Sequence, residues 1–181
     1  MNVPEPPLVR AARREDVPRI WELVRELAVY ERLEAIVHND PVRLAAQLFD
    51  PAAWPRVESL VAEVDGTIAG YALFYGCYSS FRGQPVIWLE DLCVTADRRT
   101  SGAGFALMRA LAGVAVERKC ARIAWDVLDW NEPSIAFYER LGAVRDQGWH
   151  GYSLAGVPLE NLGAFTLIPL LNANEVTTFI K

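Results

Sequence analysis

The sequence predicts an α/β fold of the α+β kind, a central sheet flanked by helices, and three stretches carry that prediction. The first spans 57–75, two β-prone apolar runs joined by Asp65-Gly66, a dipeptide that closes tight hairpins. The second spans 86–119, where an apolar strand passes through a short loop of arginine and glycine into a long amphipathic helix. The third spans 123–143, a further strand followed by a short helix that Gly142 closes.

Composition bounds what such a fold is for. The chain has 181 residues, of which 52% are hydrophobic and 23% charged, enough apolar mass for one core. A net charge of −5 argues against nucleic acid or a membrane surface as the main partner and mildly favours a cationic substrate. Cys77, Cys93 and Cys120 are odd in number and scattered, as free thiols in a reducing cytoplasm are. No signal-peptide pattern and no apolar run of membrane-spanning length is present. His38 and His150 lack spaced partners, so no metal site is expected.

Residues 1–7, with Pro4, Pro6 and Pro7, read as a flexible arm, and 8–12 as the first strand. Asp16 stands where it caps a helix whose second residue is Pro18 and whose apolar face is Val17, Ile20, Trp21, Val24, Leu27 and Ala28. Tyr30 and Glu31 fall at the end of that helix. Asp40-Pro41 opens a second helix through Phe49, and Pro51 and Pro55 end it before the hairpin. Gly70, inside the second hairpin strand, marks a bulge, and 78–84 is a polar loop.

The strand at 86–94 is almost continuously apolar, as a strand buried on both faces is, and yet it carries Glu90 and Asp91. An unpaired buried carboxylate costs roughly several kcal/mol, so at least one of the two has a reason to be there. Simple alternation puts Trp88, Glu90, Leu92 and Val94 on one face and Leu89, Asp91 and Cys93 on the other. On that pattern one carboxylate faces a given ligand, and Asp91 reaches it only through a twist or bulge; otherwise Asp91 is a structural hydrogen-bond acceptor.

The loop Arg99-x-x-Gly102-x-Gly104 opens the next helix, whose apolar positions are Phe105, Leu107, Met108, Leu111, Ala112 and Ala115. Backbone N–H groups at a helix start, glycines that admit a ligand to the main chain and the positive end of the helix dipole together make an anion site suited to phosphate or pyrophosphate. A Rossmann fingerprint would need glycine where Leu107 stands, and the Gly-Lys-Ser/Thr of a P-loop is absent. Further on, 123–128 is apolar strand, and either Asn131 or Glu132 caps a helix with Pro133 in its first turn.

Leu89-Glu90-Asp91, the Arg-x-x-Gly-x-Gly loop and Trp130-Asn131-Glu132-Pro133-Ser134-x-x-Phe137-Tyr138-x-Arg140-x-Gly142-Ala143 together resemble the GNAT superfamily of N-acetyltransferases. Within it they are most similar to the spermidine/spermine (diamine) and thialysine branch, and the likeness covers residues 8–162, read as one acetyltransferase domain. The resemblance implies a mixed, mostly antiparallel sheet splayed at the cofactor site and flanked by about four helices. It implies direct transfer of an acetyl group from acetyl-CoA, the co-substrate, to a small primary amine, in a homodimer that needs no metal. Glu90 would be the general base, directly or through water, and Tyr138 the general acid for the departing thiolate. Acetyl-CoA would lie on Leu92, Cys93, Val94, Arg99, Thr100, Ser101, Gly102, Ala103, Gly104 and Phe105, with Asn131 and Ser134 as further contacts. Tyr30, Glu31, Glu90 and Asp91 would bind the amine.

Polyamine acetyltransferases place further acids in the loop before the strand at 86–94 and ahead of a Gly-Trp pair, where this chain has Ser79 or Ser80 and Gln147. That favours a lysine analogue such as thialysine over a long polycation. An acetyl-CoA sensor without catalysis and a peptide N-acetyltransferase are the alternatives. Residues 163–181 form an extension beyond the likeness; its apolar stretch 165–171 is an extra strand, an exchanged arm or an appended segment.

Overall fold

The computed structural model describes residues 6–164. Two compact units divide the chain, one through Ile135 and one from Ala136. The first unit holds a five-stranded sheet in the order β1 (Leu8–Ala11), β2 (Val57–Val64), β3 (Thr67–Ser79), β4 (Gln84–Val94), β5 (Ile123–Ala124). The first three pairings are antiparallel and β4–β5 is parallel. Helices α1 (Val17–Glu31), α2 (Pro41–Phe49) and α3 (Ala103–Glu117) belong to this unit as well.

The hairpin forms where the sequence places it. Asp65 and Gly66 both take positive φ, 52° and 74°, the pair of angles a two-residue turn needs to match strand twist. In α2, the Asp40 carboxylate accepts from the Arg43 N–H at 2.8 Å and Pro41 fills the first helical position. Asp16 behaves differently from its expectation. It precedes α1, but a 3-10 turn runs directly into the helix and leaves Asp16 with φ −81° and ψ −15°, so its side chain caps nothing in α1. The carboxylate instead accepts from the Arg13 N–H at 2.7 Å and from Arg10 at 2.6 and 3.0 Å. Arg10, which also pairs with Glu63 at 2.6 Å, holds the Asp16 carboxyl below its ordinary range.

Side chains of α1 and α2 bury against one set of strand residues: Val17, Ile20, Leu23 and Leu44 with Val61, Tyr71 and Cys93. Each large aliphatic fully removed from water contributes about 1.5–3 kcal/mol. Helix α3 presents Ala103, Leu107 and Leu111 to the sheet, all buried. Two positions expected on that apolar face, Phe105 and Ala112, are exposed instead. Phe105 lies in the first turn of the helix, and small Ala103 and Ala106 take the buried places there.

Alternation along β4 breaks at Glu90. Leu73 pairs with Asp91 and Phe74 with Leu89, so Glu90 is the extra residue of a bulge and has no partner on β3. Neighbouring residues Leu73 and Phe74 point to opposite faces, hence Leu89 and Asp91 do too. Asp91 and Cys93 therefore share the face of Tyr71, while Leu89 turns to the other side, which corrects the strict alternation expected from the sequence. A second bulge leaves Ala69 unpaired between Ala62↔Gly70 and Glu63↔Ile68, beside the glycine that signalled it. A Cβ on Gly70 would stand 2.6 Å from the Cys93 carbonyl oxygen and 2.9 Å from Val94 Cγ2, so only glycine lets β3 approach β4 there.

Two strand lengths differ from expectation. β3 continues to Ser79 because it stays paired with β4 as far as Gln84. β5 stops after Ala124, pairing only with Ile87 and Trp88, and 125–128 leave the sheet. The bulge at Glu90 follows immediately on β4, and among the described residues no strand covers that edge of β4 beyond Trp88.

Helix α4 (Glu132–Arg140) begins in the first unit, where Asn131 is the cap: its Oδ1 accepts from the Ser134 N–H at 3.4 Å. In the second unit the Ala143 N–H donates to the Tyr138 carbonyl and the Gly142 N–H to the Glu139 carbonyl, a Schellman closure. Among the described residues α5 (Gly156–Ala164) is a fifth helix where the resemblance implied about four. Its apolar positions, Val157, Leu159 and Leu162, are exposed and carried no periodic signal of burial. The stretch 165–171, singled out in the sequence, lies outside the described residues.

Candidate active site

The bulge turns two consecutive carboxylates into two different environments. Glu90 is exposed, and its Oε2 accepts from the Trp88 indole N–H at 3.0 Å. It is not the buried carboxylate that the apolar run suggested, because the extra residue of a bulge is pushed out of the ladder. Asp91 turns inward, where the hydroxyl of fully buried Tyr71 donates to its Oδ2 at 2.9 Å. Burial pushes the Asp91 carboxyl up to about 6; the Tyr71 hydrogen bond works against the rise, and the charges of Glu90 and Glu31 add to it. Glu31, half-buried at the end of α1, is also raised by desolvation. Three carboxylates thus gather in one electrostatic neighbourhood, a natural receptor for a cation.

Cys93, on the same strand, is buried, and desolvation pushes its thiol up to about 12. Its Sγ lies 3.8 Å from the Leu23 carbonyl oxygen. A thiol in that state is a packing group, since the nucleophilic form is the thiolate. Leu92 and Val94 are half-buried on the stretch of β4 that β5 leaves uncovered.

The loop beyond β4 leads into α3. Gly102 takes φ 85° at the cap of α3 and has no side chain with which to satisfy the first-turn N–H groups. Ser101 Oγ accepts weakly from the Ala103 N–H at 3.3 Å. Thr100 and Gly102 are exposed, Ser101 and Gly104 half-buried, Ala103 buried and Phe105 exposed. This is a 15-residue helix without a side-chain cap at Gly102, with a positive dipole end and an exposed arginine, Arg99, just ahead of it. Arg98 is otherwise engaged, paired with Asp65 at 2.6 Å.

Tyr30, at the end of α1, meets two residues expected on the anion side of the site. Its hydroxyl donates to Asn131 Oδ1 at 2.9 Å, and the Arg99 guanidinium lies 4.6 Å from its ring centroid. Ser134 follows Asn131 in the first turn of α4 and is half-buried. Tyr138 lies within the second unit, half-buried in the last turns of α4, with the Phe137 ring 5.3 Å away edge-on.

Sequence reasoning did not single out Tyr71 or Trp88. A tyrosine inside the apolar run 68–75 needs a hydrogen-bond partner once buried, and that need was the available signal for Tyr71. Trp88 became informative only through the bulge, which brings Glu90 back to its indole. Among the described residues no cluster of three or more His, Cys, Asp or Glu is placed to hold a metal ion, and no helix is long and apolar enough to cross a membrane.

This arrangement has relatives. The thialysine N-epsilon-acetyltransferase of Sus scrofa is 34% identical over 166 residues, covering 86% of this chain and 96% of that protein. The L-ornithine N5-acetyltransferase of Arabidopsis thaliana is 27% identical over 195 residues, covering 84% and 86%. Among solved structures, an integron cassette protein from the mobile metagenome of V. cholerae superposes with a TM-score of 0.72 over 88% of this chain and 99% of its own, at 20% identity, a likeness of fold. The model of the acetyltransferase (GNAT) family matches residues 21–143. The chain belongs to the acetyltransferase (GNAT) family and is an acetyltransferase enzyme.

Proposed function

We propose that the enzyme transfers the acetyl group of acetyl-CoA to the primary amine of a small molecule of the thialysine, lysine-analogue or diamine type, by direct attack within a ternary complex. The observation that carries this reading is the bulge at Glu90. It sets one exposed and one half-buried, inward-turned carboxylate side by side where β5 leaves β4, and α3 follows with an N-terminus that carries no side-chain cap. The names of the thialysine and ornithine acetyltransferase relatives support a short amine.

In this reading the alkylammonium, with a pKa of roughly 10, docks against Asp91 and Glu31 and must lose a proton before it can attack. Glu90 is exposed and accepts that proton through water. The nitrogen lone pair then forms the bond to the acetyl carbon, the carbon–sulfur bond breaks with its electron pair going to sulfur, Tyr138 protonates the departing thiolate, and the second proton lost by the acylated nitrogen passes through water to restore the Tyr138 phenol. The backbone N–H groups of residues 100–105, with Arg99, take the pyrophosphate of the donor. Leu92, Cys93 and Val94 offer the uncovered edge of β4 to its pantetheine, and Asn131 and Ser134 add contacts. The un-ionised thiol of Cys93 disfavours an acetyl-cysteine intermediate. Free thiols at Cys77, Cys93 and Cys120 accord with the cytoplasm, and we take the working form to be a homodimer.

Initial rates at varied acetyl-CoA and thialysine test the mechanism. Intersecting double-reciprocal lines are the expected result; parallel lines would point to a covalent acetyl-enzyme and overturn direct attack.

A further inference from the structure

Arg99 and Asn131 are read above as donor contacts and Tyr30 as an amine contact, yet the three side chains meet, and each uses a different part of the tyrosine. The Tyr30 hydroxyl donates to Asn131 Oδ1 at 2.9 Å. Its ring carries the Arg99 guanidinium at 4.6 Å from the centroid and packs on Trp130 at 5.8 Å with the planes tilted by 50°. Asn131 is 5% exposed, and the same Oδ1 receives the Ser134 backbone N–H at 3.4 Å. A backbone N–H can only donate, so the carboxamide oxygen must face it, and the amide nitrogen is then the end turned away as a donor. Arg99, exposed and with no carboxylate paired to it in the structure's ion pairs among the described residues, is held on a π-face instead. Such a contact restrains the guanidinium while leaving its N–H fork able to take an anion.

We infer that Tyr30 is a positioning residue for the acyl donor: its hydroxyl sets the carboxamide of Asn131 and its ring holds Arg99 ahead of α3, in place of the expected contact with the amine. This rests on the reading of Arg99 and Asn131 as donor contacts. On that reading the ligand class is a diphosphate-bearing thioester, and Tyr30 ties the end of α1 to the cap of α4 and to the arginine ahead of α3 before that ligand arrives.

The experiment uses the full-length protein and CoA as the probe, titrated calorimetrically without amine, and then the separate KM values for acetyl-CoA and thialysine. Tyr30→Phe keeps the ring and removes the hydroxyl; CoA binding is expected to weaken about 3- to 10-fold, the range for one lost hydrogen bond. Tyr30→Leu removes the ring as well and should weaken it about a further 2- to 5-fold. KM for thialysine should stay within about twofold in Tyr30→Phe. In an Asn131→Ala background Tyr30→Phe should have almost no effect on CoA, because the group it positions is gone. A rise in thialysine KM with CoA affinity unchanged would overturn the inference, as would a full Tyr30→Phe effect persisting in Asn131→Ala. Wild-type protein that binds no CoA would overturn the donor reading itself, an outcome visible before any variant is compared. Should Tyr30→Leu fail to fold, Tyr30→Phe and the double variant still decide.

Discussion

Replacing Asp91 by Asn should make the protein more stable and less active, and the size of the gain follows from the site. An aspartate ordinarily ionises near 3.8, and in the folded protein burial raises Asp91 to about 6. Between those values the native chain still holds the proton that the unfolded chain has released, so stability falls as pH rises through this window and the loss is complete above it. A rise of about two pKa units corresponds to roughly 3 kcal/mol of ionisation penalty at neutral pH. Asn carries no charge and its oxygen still accepts from the Tyr71 hydroxyl, now 2.9 Å from the carboxylate, although its amide needs a partner of its own. The net expectation for Asp91→Asn is a gain of about 1–2 kcal/mol at pH 8, about 2–8 °C in melting temperature for a chain of this size. That gain should shrink toward zero as pH falls to 4. Urea melts of both proteins at pH 8, 6 and 4.5 measure it. A variant no more stable than wild type at pH 8, or a gain independent of pH, would refute the reasoning. Loss of amine turnover in the more stable protein would identify Asp91 as a charge kept for function.

Gly70→Ala places a methyl 2.6 Å from the Cys93 carbonyl oxygen, backbone against backbone; a loss of about 1–3 kcal/mol in a urea melt is expected, with a raised KM for acetyl-CoA because β4 must shift. Asp16→Asn replaces one of the two oxygens that accept from Arg10, at 2.6 and 3.0 Å, by an amide donor, removes the charge and should cost about 1.5–3 kcal/mol at pH 7. Because Arg10 holds the folded carboxyl low, that contribution is present above the ordinary carboxylate pKa and is lost as pH falls, so wild type and variant should converge in acid melts. Tyr138→Phe should lower kcat about 100-fold, within the range of general-acid effects, with the affinity for CoA unchanged in calorimetry.

Signals confined to neighbours in sequence were legible without the structure. Asp65-Gly66 specified its hairpin, Asp40-Pro41 its helix, Gly142 the end of α4, and the start of α4 was narrowed to Asn131 or Glu132. Each of these acts within a few residues through φ preference or a local hydrogen bond. What depended on a distant partner was not legible. The bulge at Glu90 exists because β3 pairs with Asp91 and Leu89 in a register that β4 alone does not reveal. Consequently strand alternation alone did not tell the two carboxylates apart: Glu90, the base that the resemblance implies, is exposed, whereas half-buried Asp91 turns inward to Tyr71, twenty positions earlier. The early end of β5 also depends on β4, and the loss of Asp16 as a cap depends on Arg10 and on a 3-10 turn. Tyr30 was legible as a candidate by resemblance, but its contacts with Arg99 and Asn131 join segments about 70 and 100 residues apart, which no local pattern reports.

CoA release from acetyl-CoA against thialysine, lysine, ornithine, putrescine, spermidine, an aminoglycoside and a lysine-containing peptide tests the central claim most directly. Selective turnover of a short primary amine, strongly slowed by Glu90→Gln, is the predicted result. Turnover confined to the peptide, or acetyl-CoA binding with no amine acetylated, would contradict the account.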